Sequence, residues 1–281
     1  MHKFEASLLG TLTLALVLNT TSAPCQLLSD KPSDRDVIHI AHLSALPVDA
    51  SGSDSSAASS DSSQQHGLIV RSIKRGIEDE KEIYSAPFKV SNLKWDALVL
   101  ASTGGLIAAD RHIERQLPNV NYNRYSNLSN ITLGSLSGGL VTLWVYGIKT
   151  DNPHAKETGE LELETLADTF LVYTPMQLLA ARERPGVGTN NGRFWRNHSV
   201  NTSFPAGHAM FTTAMATVLA HEYPKPWVQV LAYGAAATVT AGRFLGHDHW
   251  ASDLFVGNVL GYLIARHVFH AHCDPDLSEA C

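Results

Sequence analysis

Charge is scarce in this chain, and none of it adds up to a basic excess. Only 17% of the 281 residues are Asp, Glu, Lys or Arg, and the formal net charge is −6. A nucleic-acid binder usually presents a basic face, so the balance argues against that class. It does not exclude an anionic substrate, which a few local arginines can hold. Cysteine is rarer still. Cys25, Cys273 and Cys281 are the only three, and no Cys/His spacing resembles a zinc site. Cys273 and Cys281 close a short C-terminal loop, where a disulfide and two unpaired thiols both remain open. Long apolar runs are few. Leu8 to Leu18 is an 11-residue run, too short to span a bilayer comfortably. With Lys3 before it and Thr21, Ser22 and Ala23 after it, residues 1–23 read as an export signal. The expected location is therefore exported, either periplasmic or extracellular, with the cleavage site left open. The residues before Cys25 match a lipidation signal badly.

Apolar residues make up 44% of the chain, enough for a substantial core. The core does not begin at once. Residues 24–88 read as a mostly disordered linker and arm. The stretch 50–67 is rich in Ser and Asp and has no apolar period, while 68–88 mixes charge with isolated apolar residues. From about residue 90 the periodicity is helical. It predicts one helix from a cap at Asn92 to near Pro118, a second over 127–149, and a third over 156–182 kinked at Pro175. A fourth runs from Pro205/Ala206 to before Pro224, a fifth over 226–242, and a sixth over 250–270. No segment reads as a strand. The expected fold is an all-α six-helix bundle over 89–270, with a tail at 271–281. Two stretches, 131–148 and 226–242, are uncharged and long enough to span a bilayer, but both are diluted by small and polar residues. With a mean hydropathy of −0.06, the pattern favours a soluble or peripherally attached bundle, with membrane contact left open.

Three short stretches late in the chain carry chemistry. In RERPGVG, Arg184 offers a guanidinium that forks two donors onto phosphate oxygens. In SFPAGHA, Pro205 suits a helix start, Gly207 lets a ligand approach the first helical amides, and His208 lies one residue inside. In GRFLGHDHWASD, Arg243 precedes His249, and Asp253 follows His249 by four, one helical turn. A carboxylate so placed can accept from one ring nitrogen and leave the other free to attack. His247 points elsewhere. Two cations, two imidazoles and a carboxylate are the parts needed to pass a phosphoryl group through a histidine.

Together these stretches resemble the type 2 phosphatidic acid phosphatase family, which shares its site with bacterial non-specific acid phosphatases and vanadium haloperoxidases. The family pattern is Lys, six residues, Arg-Pro; then Pro-Ser-Gly-His; then Ser-Arg, five residues, His, three residues, Asp. Here 19 residues separate Pro185 from Pro205, and 33 separate His208 from Gly242. The resemblance implies that His249 is a nucleophile forming a phosphohistidine, oriented by Asp253. It makes His208 the acid for the leaving oxygen and then the base for water. Arg184, Arg243 and the Gly207 amide would hold the phosphoryl oxygens, with no metal and no cofactor.

Three positions depart from the pattern: Gln177 stands for the Lys, Ala206 for the first Ser and Gly242 for the second. If these side chains line the phosphate site, it lacks one cation and two hydroxyls, and Arg182, Arg193 or Arg196 would have to compensate. The expected activity is an exported, acid-phosphatase-like hydrolysis of phosphate monoesters or lipid phosphates. Two alternatives stand beside it, a phosphate-binding pseudoenzyme of low turnover and a vanadate-dependent haloperoxidase. The expected partner is a phosphorylated small molecule or lipid phosphate.

Overall fold

A computed structural model describes residues 74–118, 121–196 and 202–281. The export signal and the Ser-rich stretch lie outside them. Six long helices follow one another, and no strand forms among the described residues. They are α1 (Leu93–Gln116), α2 (Tyr122–Thr150), α3 (Pro153–Ala180), α4 (Gly207–Glu222), α5 (Pro226–Leu245) and α6 (Ala251–His272). A seventh helical segment, residues 74–85, precedes them and leads into a 3-10 turn at Ala86–Phe88. The arm therefore includes regular structure that its broken apolar pattern did not announce.

Local chemistry sets the helix boundaries. Asn121 and Asn152 cap α2 and α3 by accepting from the Arg124 and Ala155 amides. Pro153 is the first residue of α3, where its missing N–H costs nothing, so the helix starts three residues before the expected 156. Helix α3 ends in a left-handed Ala181 and stops at Ala180, so Arg184 stands in the loop beyond it and not on its last turn. Pro205 also lies outside a helix. It follows a cis peptide bond after Phe204, and α4 begins at Gly207 with Ala206 as its N-cap. His249 lies in the turn before α6, one residue ahead of the Trp250 N-cap.

Helix α4 is the centre of the bundle, packed against α3, α5 and α6. Its Met210, Ala214 and Val218 meet Leu161 and Val172 of α3 and Ile264, Val268 and Phe269 of α6 in the main core. Each large side chain buried there contributes roughly 1.5–3 kcal/mol. The approach of α6 to α4 is close enough to demand glycine. A Cβ at Gly257 would lie 2.7 Å from the Ala206 carbonyl oxygen, and one at Gly261 would lie 2.2 Å from that of Met210. Helix α1 packs chiefly on α6, and Cys273 and Cys281 are disulfide-bonded beyond it. Helices α1, α2 and α5 keep apolar residues exposed, among them Trp95, Leu100, Ile131, Tyr146, Trp227 and Val230. Helix α2 is long and apolar enough to cross a membrane, and only 11% of its most apolar window is buried.

At the α3–α4 end, Glu222 is buried and its Oε2 lies 2.9 Å from His154 Nε2. Burial, with the nearby Glu157 charge, pushes Glu222 up to about 8. A carboxyl raised on folding stabilises the protonated fold, and that contribution is lost as pH rises through its folded value. The melting temperature should therefore fall between pH 6 and pH 9. Glu222→Gln should remove a part of that fall on the order of 1–2 kcal/mol, read by thermal denaturation across pH. An identical pH dependence in the variant would show that Glu222 stays ionised throughout.

Candidate active site

The site is assembled where the loop after α3, the N-terminus of α4 and the α5–α6 turn converge. Its foundation is Arg182, only 2% exposed. One arm of the guanidinium donates to Asp110 of α1 at 2.7 Å, and the other pairs with Asp253 of α6. Arg182 also donates to Ser252 Oγ and to the Gly192 carbonyl. The rings of Phe194 and Trp250 lie 4.8 and 5.5 Å from its guanidinium carbon. Arg182 is thus fully engaged and unavailable as a substitute phosphate clamp. Arg193 and Arg196 are exposed.

Asp253 does not accept directly from His249. Its Oδ2 lies 4.0 Å from His249 Nδ1. It accepts instead from Arg182, from Ser203 Oγ and from the Trp250 amide, closing the capping box of α6. The His249 Nδ1–H donates to the Ser203 carbonyl at 2.7 Å. Asp253 therefore positions the imidazole through Ser203, a correction to the direct pair expected from the four-residue spacing. The spacing argument required His249 to be helical, and the turn before α6 holds it elsewhere. Burial pushes the Asp253 carboxyl up to about 7, opposed by Arg182, Ser203 and the Trp250 amide. All three neighbours donate to it, so the network fits the anion.

With Nδ1 engaged, His249 turns Nε2 toward Arg184, whose Nη1 lies 3.4 Å away. Arg184 is braced by the backbone carbonyls of Asp248, at 3.0 Å, and Thr202, at 3.2 Å. His208, at the start of α4, keeps a buried Nε2 with no hydrogen-bond partner among the described residues. Burial, reinforced by Arg243 and Arg184, pushes His208 down to about 3. Burial and then Arg184 hold His249 well below the ordinary imidazole value. Both rings are therefore neutral when the site holds no anion. Arg243 pairs with Asp248 at 3.0 Å and with Asn130 of α2, and Ser126 of α2 also donates to Asp248 at 2.7 Å. The Ala206 N-cap offers no side-chain bond to the first amides of α4, which leaves them the anion-binding character of a helix N-terminus. The arrangement brings together Arg184, Arg243, His208, His249 and the Gly207 backbone. His247 points away, pairing with Glu114 and packing edge-on against Tyr122.

The three departures from the family pattern do not line this pocket. Gln177 is fully buried; its Nε2 donates to the Pro205 carbonyl, and its Oε1 accepts from both the amide and the hydroxyl of Thr202. It staples the loop that carries Ser203. Ala206 packs its methyl against Ala209, Leu254 and Phe244. At Gly242 a Cβ would meet the Tyr125 carbonyl oxygen at 2.8 Å and Ser129 Cβ at 2.9 Å, so this position serves the close contact of α5 with α2. None of the three is a phosphate ligand through its side chain. Sequence reasoning missed Asp110, Ser203, Ser252, Ser126, Asn130 and Asp248. Asp110 opens the charged run DRHIER at the end of α1, so nothing in its local sequence set it apart from Glu114 or Arg115.

A family model described as the PAP2 superfamily matches residues 163–274. Those residues belong to the PAP2 superfamily. They hold His208, His249, Asp253 and both arginines, whereas Asp110, Ser126 and Asn130 come from helices before the matched stretch. A curated relative, the lipid A 1-phosphatase of Porphyromonas gingivalis, is 33% identical over 77 residues, which is 27% of this chain. The chain spans 17% of that relative's length. No solved structure matches the chain significantly.

Gln177→Lys, which restores the family's residue type, should weaken the protein. It breaks the staple on Thr202 and Pro205 and leaves an ammonium buried without a carboxylate. The expected result is a melting temperature lower by on the order of 10 °C, with a fall in any phosphatase kcat/KM. A gain in kcat/KM at unchanged stability would mean that the side chain reaches the pocket.

Proposed function

We propose that this chain is a phosphohydrolase that cleaves phosphate monoesters, lipid phosphates among them, through a phosphohistidine on His249. The observation that carries this reading is an imidazole, His249, with Nδ1 locked on the Ser203 carbonyl and Nε2 beside Arg184, near a second imidazole, His208, whose buried Nε2 has no partner among the described residues. His249 Nε2 attacks phosphorus, and the bond to the leaving oxygen breaks. Arg184, Arg243 and the Gly207 amide hold the three equatorial oxygens as charge builds. Burial chiefly, then Arg243 and Arg184, depress His208; a dianionic substrate offsets the arginines and stabilises the protonated ring directly, so that His208 carries the proton it hands to the leaving oxygen. It then takes a proton from water, whose oxygen attacks phosphorus and releases His249. For His208 and the arginines the roles rest on position and chemistry; for Asp253 the role is positioning.

The lipid-phosphate part of the reading rests on four supports. The matched relative is a lipid A 1-phosphatase. The loop bearing Arg184 exposes Val187 and Trp195. An open, mostly apolar groove of about 560 Å³ is lined by Phe244 and Leu254, the chain neighbours of Arg243 and Asp253. Exposed apolar faces on α1, α2 and α5 are suited to contact with a lipid surface. Export from the cell remains part of the proposal, on the strength of residues 1–23. A second reading, phosphate binding with little turnover, draws on one observation: Asp248 already neutralises Arg243, which an incoming phosphate must compete for. The haloperoxidase alternative gains nothing from position 177, which faces the Thr202–Pro205 loop.

Two measurements test the mechanism. Incubation with a chromogenic aryl phosphate, followed by quenching without acid, should yield a phosphohistidine on the peptide containing His249. His249→Ala should lose at least a thousandfold in kcat; full activity in that variant sinks the mechanism, and bromide oxidation with added vanadate in place of hydrolysis would favour the peroxidase. His208→Ala should cost about 10²–10⁴ in rate on an alkyl or lipid phosphate but far less on an activated aryl phosphate, whose leaving group needs no proton. Equal losses on both substrates would remove the acid role.

A further inference from the structure

A second cluster of ligand-type side chains lies at the opposite ends of the helices that build the site. Glu164 lies 13 residues before Gln177 on α3, about 20 Å along the axis, and His267 and His272 close the far end of α6 from Asp253. The arm helix at 74–85 brings Asp79 against them. Asp79 Oδ2 is 2.7 Å from His272 Nε2, and Asp79 Oδ1 is 3.4 Å from His267 Nε2. His272 Nε2 is in turn 3.7 Å from Glu164 Oε1. One donor atom each from Asp79, Glu164 and His272 falls within 4.8 Å of the others.

Two buried carboxylate oxygens face this cluster unsatisfied. Glu164 is 9% exposed and Asp168, one turn further along the same face of α3, is 2% exposed. Glu164 Oε2 and Asp168 Oδ2 have no hydrogen-bond partner among the described residues. Buried carboxylate oxygens left unpaired are costly and uncommon, and a bound cation satisfies them directly.

We propose that Asp79, Glu164 and His272 form a divalent-cation site of the zinc class, with His267 bracing Asp79 and Asp168 as an outer partner, fastening the arm helix to α3 and α6. An imidazole with two carboxylates favours zinc, its fourth position left to water, over calcium or magnesium, which take all-oxygen sets. At metal–ligand distances of about 2.0–2.2 Å, tetrahedral ligands sit about 3.4 Å apart. His272 Nε2 lies 2.7 Å from Asp79 and 3.7 Å from Glu164, and all three donor atoms fall within 4.8 Å of one another. The ion would replace the proton now shared between His272 and Asp79, and Asp168 would orient a ligand from behind. Because the ligands come from positions 79, 164 and 272, no local spacing motif exists to announce them, and the expectation of no metal rested on such motifs. The site is separate from the phosphate pocket and stands whether or not the chain is a phosphatase.

The test uses the full purified chain. After incubation with zinc chloride and gel filtration, metal analysis should find about one zinc per chain above the EDTA-treated control. Zinc at about 100 times its dissociation constant should raise the melting temperature by about 5–10 °C, whereas calcium should not. Glu164→Gln and Asp79→Asn should each weaken zinc binding at least tenfold while keeping the helical circular dichroism signal. Should either variant fail to fold, tryptic cleavage at Lys81 of the unaltered chain decides the matter: zinc should slow it at least tenfold and EDTA should restore it. No excess zinc, equal zinc in a folded Glu164→Gln variant, or cleavage at Lys81 indifferent to zinc would each overturn the site.

Discussion

A buried guanidinium holds the candidate active site together. Arg182 reaches Asp110 on one side and Asp253 on the other, with Ser252 and the Gly192 carbonyl completing its shell. Burying such a charge is tolerable only because its donors are taken up, and its partners are then committed in turn. Asp110 binds the amide of Ser252 and fixes α1 to the start of α6. Asp253 binds Ser203, whose carbonyl aligns the imidazole of His249. From the core of the bundle to the reacting nitrogen, each link is a hydrogen bond with its direction fixed by charge.

That network explains how a pocket with two guanidinium groups keeps two neutral imidazoles. Burial disfavours their protonated forms, and Arg184 and Arg243 disfavour them further. In the proposed mechanism a nucleophilic nitrogen needs its lone pair, and the positive field that would draw a phosphate also keeps His249 unprotonated. The acid role proposed for His208 needs a proton, which burial and both arginines oppose until substrate charge offsets the arginines. Asp248 and Asn130 hold Arg243 in the interim, which limits how far the empty pocket repels protons.

The three departures from the family pattern have packing explanations. Gln177 exchanges a cation for a staple between α3 and the Thr202–Pro205 segment. Ala206 buries a methyl where a hydroxyl would face Leu254 and Phe244. Gly242 lets α5 lie against α2. These positions serve the frame, and the proposed chemistry stays with Arg184, Arg243, His208 and His249.

The sequence by itself determined the all-helical class, the order of the six long helices and which two arginines and two histidines would be drawn together as a candidate site. Helical periodicity and fixed motif spacings are local properties, readable without knowing what packs on what. It also determined that His247 would stand apart from His249. It could not determine the helix ends at Ala180 and Gly207, because a left-handed Ala181 and a Pro205 outside its helix depend on the loop they join. Nor could it separate an arginine that faces the candidate pocket from one that clamps carboxylates. Arg182 and Arg184 are two residues apart and alike in composition, and only the placement of Asp110, 72 residues away in sequence, decides which is which. The positioning of His249 through Ser203, the packing roles of Gln177, Ala206 and Gly242, and the gathering of Asp79, Glu164, His267 and His272 belong to the same class. Each is a contact between distant segments, set by how the helices cross and how closely their backbones approach, and such contacts exist only in the tertiary structure.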